Sequence, residues 1–199
     1  MTAARRTDVL LWRAKLDPAA PAPKRVSLPG GLRPTRVARN GDESLLYVYA
    51  AFDRQESLTA AELAALESSC SLDGQPVPAA LCRLEKVLDL PGASATQLAT
   101  AHYVVETDAD AGWMEEITRW YEVEHLPALA AVPGCIRATR FVNHDDGPQS
   151  LACYDLARTG VLETPSWLAV RASSWSDRVR PHFTNTRRTR FDVLTPEDQ

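Results

Sequence analysis

The 199-residue sequence predicts an α+β protein made of two tandem halves, and two observations carry that prediction. Pro29-Gly30-Gly31-Leu32-Arg33-Pro34-Thr35-Arg36-Val37 and Pro133-Gly134-Cys135-Ile136-Arg137-Ala138-Thr139-Arg140-Phe141 follow one pattern, Pro-Gly-x-[Leu/Ile]-Arg-x-Thr-Arg-apolar. A polar turn and a second apolar run follow each copy, which is a hairpin signal made twice. Self-similarity at a long period fixes architecture before any local feature does.

In the first half, residues 9–16 read as a strand, 32–39 and 45–52 as the hairpin, and 81–90 as a closing strand. Between hairpin and closing strand, residues 59–68 are rich in Ala, Leu and Glu, with Thr59 placed as the N-cap of a helix. Where a helix should follow the first strand, Pro18, Pro21 and Pro23 forbid a regular one. A linker is expected at 91–95, dividing the chain into 1–92 and 96–199.

The second half reads more plainly. Residues 99–106 form a β-branched and aromatic strand, and Asp108 to Asp110 start a long helical segment that ends at Pro133-Gly134. Hairpin strands follow at 135–143 and 149–157. Thr164-Pro165 opens another helix, which breaks near Ser173-Ser174 and resumes to Arg180, and 186–194 is the last strand. The order β-α-β-β-α-β is that of the ferredoxin-like fold, an antiparallel sheet with helices on one face. Two such sheets can cover each other's open faces. An intramolecular α/β barrel is therefore expected, its first half lacking the first helix.

The run Trp120-Tyr121-Glu122-Val123-Glu124-His125-Leu126-Pro127, followed by Pro133-Gly134, resembles the helix-end pattern of EthD-type domains. With its two halves, the chain resembles the dimeric α/β-barrel superfamily in duplicated, single-chain form. The resemblance covers the second half, the first being a degenerate copy. It implies a histidine at the site at position 125. It also implies a choice among cofactor-free monooxygenases, polyketide cyclases, lactone isomerases and haem enzymes.

Projected at about 100° per residue, the long helix places Trp113, Ile117, Trp120 and Tyr121 on one arc, Glu124 within it and His125 at its edge. A carboxylate among tryptophans must be paired, hydrogen-bonded or at a cavity, because desolvating a lone charge is costly. Three readings follow: both side chains point to solvent at a helix end, Glu124 pairs with an arginine, or Glu124 and His125 face a pocket as an acid/base pair. On the third reading His125 moves the proton, Glu124 assists and Tyr121 donates to a developing oxyanion. Trp113, Trp120, Ile117, Trp167 and Trp175 would hold a flat apolar ligand, with His102, Arg140 and Tyr154 completing its surroundings.

Composition excludes several classes. A net charge of -4 removes the broad basic footprint of nucleic-acid binding, and no apolar run is long enough for a membrane span or leader. The four cysteines show no metal-binding or redox spacing and read as reduced packing residues of a cytoplasmic protein. No metal site, phosphate-cradling loop or serine nucleophile motif is present. The reading is a cofactor-independent acid/base enzyme of cyclase, isomerase or lyase type on a small, apolar, oxygenated, aromatic or polyketide-like molecule, as a monomer with an internal pseudo-dimer or as a homodimer. The alternatives are a cofactor-free monooxygenase, a haem-binding barrel protein with His125 or His182 as axial ligand, and a non-catalytic binding or accessory protein.

Overall fold

Val9, Leu10, Leu11 and Trp12 are consecutive and all buried, so the first strand is covered on both faces and its sequence shows no alternation. The computed structural model describes residues 4–42 and 44–194. It divides them into two compact units, one running to Lys86 with Asn143–Gly147 and the chain from Phe191, the other comprising Val87–Val142 and Pro148–Arg190.

The first unit contains β1 (Arg5–Lys15), β2 (Val26–Ser27), β3 (Arg36–Asn40), β4 (Leu45–Leu58), α1 (Ala60–Glu67), β5 (Ser71–Leu72), β6 (Gln75–Pro76) and most of β7 (Ala79–Pro91). Its main strands hydrogen-bond in the order β7-β1-β4-β3. Trp12 lies opposite Val48 on one side and Leu81 on the other, in antiparallel register. Leu10, Trp12, Val37, Leu46, Val48 and Leu63 share one core. The N-terminus of α1 is closed by a capping box: the Glu62 amide donates to Thr59 Oγ1 and the Thr59 amide donates to the Glu62 carboxylate. As the prolines require, no helix follows β1. A small sheet, β2-β5-β6, which the sequence reading did not foresee, stands in this unit instead.

Arg83 on β7 is the unit's buried cation. Its amide and guanidinium donate to the Asp145 carboxylate (2.6 Å from Nη2 to Oδ1), and Nη1 donates to the Leu58 carbonyl at 2.7 Å.

The second unit adds β8 (Ala101–Ala109), α2 (Met114–Trp120), a π turn at Tyr121–His125, α3 (Leu126–Ala130), β9 (Cys135–Asn143), β10 (Ser150–Leu156), α4 (Pro165–Arg171), α5 (Ser174–Val179) and β11 (Phe183–Val193). Strand order is β11-β8-β10-β9, the connectivity expected of a ferredoxin-like unit. The helices pack Ile117, Trp120, Leu126, Leu129, Trp167 and Val179 into one core that also takes Tyr154 and Ala138 from the strands. Thr164 and Ser173 cap α4 and α5, which separates the two helices where the Ser-Ser pair suggested.

The expected linker is tied down. The Gly92 amide donates to the Ile136 carbonyl and the Ser94 amide to the Cys135 carbonyl, both at 2.8 Å. A Cβ at Gly92 would lie 2.2 Å from the Cys135 carbonyl oxygen, which is backbone and cannot swing aside. Gly92→Ala is therefore expected to destabilise the protein by about 2 kcal/mol or more, read as a lowered denaturant midpoint; an unchanged midpoint would show that this backbone is not held as described. Among the described residues no helix is long and apolar enough to cross a membrane, and no group of three His, Cys, Asp or Glu side chains could hold a metal ion. All four cysteines are free and buried.

Candidate active site

The helical segment after β8 decides what reaches the sheet. Its central turn is wide: the Leu126 amide bonds to the Tyr121 carbonyl, five residues back. One extra residue in that turn keeps Ile117, Trp120 and Tyr121 on the buried side with Leu126 and Leu129, and brings His125 among them. A regular helix would put Glu124 there, as the 100° projection assumed. In the structure Glu124 is half-buried and accepts a hydrogen bond from Ser173 Oγ at 2.5 Å. It faces a surface groove with Arg119, Ser174, Trp175 and Arg178, so the structure does not bring it together with His125 over one pocket.

His125 is 6% exposed. Its ring stacks on Trp120 at 4.0 Å between centroids and meets Tyr121 edge-on at 5.8 Å. Neither His125 Nδ1 nor Trp120 Nε1 has a hydrogen-bond partner, and both atoms are buried. These side chains wall a cavity of about 20 Å³ between helices and sheet. That is room for about one water. Tyr103 and Tyr154 form the sheet side, stacked at 6.1 Å, and Trp167 stands edge-on to Tyr154 at 5.2 Å. Phe183, half-buried, closes against Trp120 and Tyr121. Arg171, Arg180 and Arg188 complete the lining.

Burial pushes the His125 imidazolium down to about 3, and the charges of Arg180 and Arg171 push the same way. The ring is thus neutral at physiological pH and a weak base as it stands; a negative charge developing beside it would raise its pKa. Burial raises the Tyr121 and Tyr154 hydroxyls, so both remain protonated donors. The Arg140 guanidinium lies over the Tyr121 ring at 5.2 Å and donates to Thr118 Oγ1 at 2.9 Å. Arg140 is 2% exposed, and burial lowers its pKa from the ordinary value.

A buried neutral histidine has a consequence for acid stability. Its folded pKa lies below the unfolded value near 6.5, so the unfolded chain binds the proton better. Its contribution is complete above about pH 6.5 and declines as the pH falls toward about 3. The difference in unfolding free energy between wild type and His125→Gln is expected to shrink over that window, by up to about 1.4 kcal/mol per pH unit. Urea midpoints at pH 7, 5.5 and 4 measure it; a constant difference would mean that the imidazole is protonated alike in both states.

Of the other residues singled out from sequence, Tyr121, Trp120, Tyr154 and Trp167 line the His125 cavity. Ile117 is fully buried in the core beneath them. Trp113 lies flat on His182, centroids 3.4 Å apart, and His182 Nδ1 is 3.1 Å from Asp110 Oδ2. Trp175 donates to Glu116 at 2.9 Å, a carboxylate it shares with Arg178. His102 on β8 sits opposite Asp155 on β10 and pairs with it at 2.7 Å, both side chains buried. Tyr103, Arg171, Arg180, Phe183 and Arg188 escaped the sequence reading. Their signal was weak: Tyr103 is next to His102 and therefore on the other face of β8, and the arginines sit singly at element ends or in a basic run.

No family model and no curated protein matches the chain. Solved structures resemble it over nearly its whole length. A candidate monooxygenase of Fusobacterium nucleatum subsp. nucleatum is 8% identical, with a TM-score of 0.55 over 98% of this chain and 94% of that one. A second candidate monooxygenase, from Lactobacillus acidophilus, is 10% identical, with a TM-score of 0.55 over 96% and 94%. An anthrone oxidase-like protein is 11% identical, with a TM-score of 0.52 over 98% and 94%. At such identities the likeness establishes the fold.

Proposed function

We propose that this chain is an enzyme of the monooxygenase-like kind, in which His125 ionises a small, flat, oxygenated molecule and the resulting carbanion reacts with dioxygen. The carrying observation is the buried, neutral imidazole with an unpartnered nitrogen in the wall of an aromatic cavity. Such a group takes a proton from an activated carbon or hydroxyl held against it, the negative charge that forms there raising the imidazole's pKa. Trp120, Trp167 and Tyr154 offer flat faces to the ring system, and Tyr121 offers a donor to the oxygen that gains charge. An electron-rich carbanion and dioxygen can together give a carbonyl, the second oxygen atom leaving as water. The names of the structurally similar proteins support oxygen insertion over cyclisation, isomerisation or elimination, all of which begin with the same proton transfer.

The strand order shared by the two units, with the repeated Pro-Gly-x-[Leu/Ile]-Arg motif, supports reading them as tandem copies of one unit. The second is the EthD-like one, and the first serves as scaffold.

Anthrone is the first probe. Oxygen uptake with formation of anthraquinone supports the reading. Exchange of the acidic C–H for deuterium without oxygen uptake selects the isomerase or cyclase type. Binding with neither response transfers the chain to the accessory-protein reading.

A further inference from the structure

The cavity that holds His125 has a charge that proton transfer alone does not require. Arg171 from the end of α4, Arg180 from the turn after α5 and Arg188 from β11 all line it. Among the described residues no carboxylate does. Arg180 Nη1 donates to the Arg171 backbone carbonyl at 2.6 Å, which fixes the Arg180 side chain against the end of α4. Burial and the charges of Arg171 and Arg188 depress the Arg180 pKa, and Asp177 is the acid whose field opposes them. Asp177 is exposed, does not line the cavity and forms no ion pair with Arg180. Three like charges gathered around a largely apolar hole repel one another, and Arg180 is partly desolvated by burial. Without an anion the arrangement costs stability.

We infer that the ligand of this site carries a permanent negative charge, a carboxylate on an aromatic or polyketide-like ring system, held by Arg171, Arg180 and Arg188 while its flat part lies against Trp120 and Trp167. The guanidinium fork suits a carboxylate better than a carbonyl because it makes two parallel charge-assisted hydrogen bonds. Two further groups are free to complete the recognition, since the buried Trp120 Nε1 and His125 Nδ1 have no partner in the protein. Arg188 is exposed and Phe183 half-buried, so these are the walls that move when a ring larger than a water enters. This inference rests on the proposed reading for which pocket receives the substrate, but not on its chemistry.

Calorimetric titration with benzoate and with benzamide tests it, since the two differ only in the charged group. Benzoate is expected to bind at least tenfold more tightly at low ionic strength, the advantage falling as sodium chloride is raised. Arg171→Gln and Arg180→Gln should each reduce that ratio at least threefold. Arg188→Gln, at an exposed position where folding is not at stake, should do so as well. Equal affinity for the two probes, no benzoate binding below about 10 mM, or a ratio unchanged in all three variants overturns the inference. Benzoate preference in a protein that neither oxidises anthrone nor exchanges its proton sinks the catalytic reading and leaves the anion site standing. Turnover of anthrone without benzoate preference does the reverse.

Discussion

On the proposed reading, replacing His125 by asparagine is expected to lower kcat for anthrone oxidation at least about 100-fold, the usual contribution of a positioned general base. The loss should appear in kcat with little change in KM, because asparagine keeps much of the volume that stacks on Trp120 while removing the atom that takes the proton. Circular dichroism and a melting curve check that the cavity wall survives. Glu124→Gln makes the contrast. That carboxylate bonds to Ser173 and faces a different groove, so its replacement should change kcat by less than about threefold. A His125→Asn enzyme with wild-type turnover, or a Glu124→Gln enzyme as damaged as His125→Asn, would remove the imidazole from the centre of the reaction.

Asp145→Ala should be the most destabilising single change in the first unit. The Arg83 side chain is 5% exposed and Asp145 15%, and the substitution leaves a buried guanidinium facing no carboxylate. Stranding one member of a buried pair costs about 3–5 kcal/mol, and the solvent that reaches Asp145 reduces this to about 2–4. For a chain of this length that corresponds to a fall in Tm of about 5–15 °C. The double replacement Arg83→Met with Asp145→Leu strands no charge and should recover more than half of the loss. A double variant no more stable than Asp145→Ala would show that the pair acts through its hydrogen bonds to backbone, at the Arg83 amide and the Leu58 carbonyl, rather than through charge.

The outline of the fold was legible wherever local chemistry agreed with packing. Thr59 and Thr164 marked helix starts because a hydroxyl followed by a free amide is a local event. Strand β9 was bounded to the residue by the turns on either side of it. The small sheet β2-β5-β6 was not, since two-residue strands carry no periodicity. At the site, His125, Tyr121, Trp120, Tyr154 and Trp167 were named from sequence and meet at one cavity, whereas Trp113, Trp175 and Glu124 were named on the same grounds and lie elsewhere. For Glu124 the source is local. A projection at fixed pitch assumes that every turn holds the same number of residues, and the turn from Tyr121 to His125 holds one more. The arginines were missed because their meeting depends on three separate elements folding back to one place, which no spacing along the chain records.

That wide turn also gives the chain a seam. Before it, α2 is in phase with the core through Ile117 and Trp120; after it, α3 is in phase through Leu126 and Leu129. Val123, in the middle, is 64% exposed and belongs to neither half. Deleting it would let the whole segment run as one ordinary helix, with both apolar stretches still able to face the sheet. The histidine would remain in the sequence yet lose its place between Tyr121 and Leu126. The position of the imidazole is thus set by an exposed residue, and a change in chain length at this point would alter the chemistry while sparing the fold.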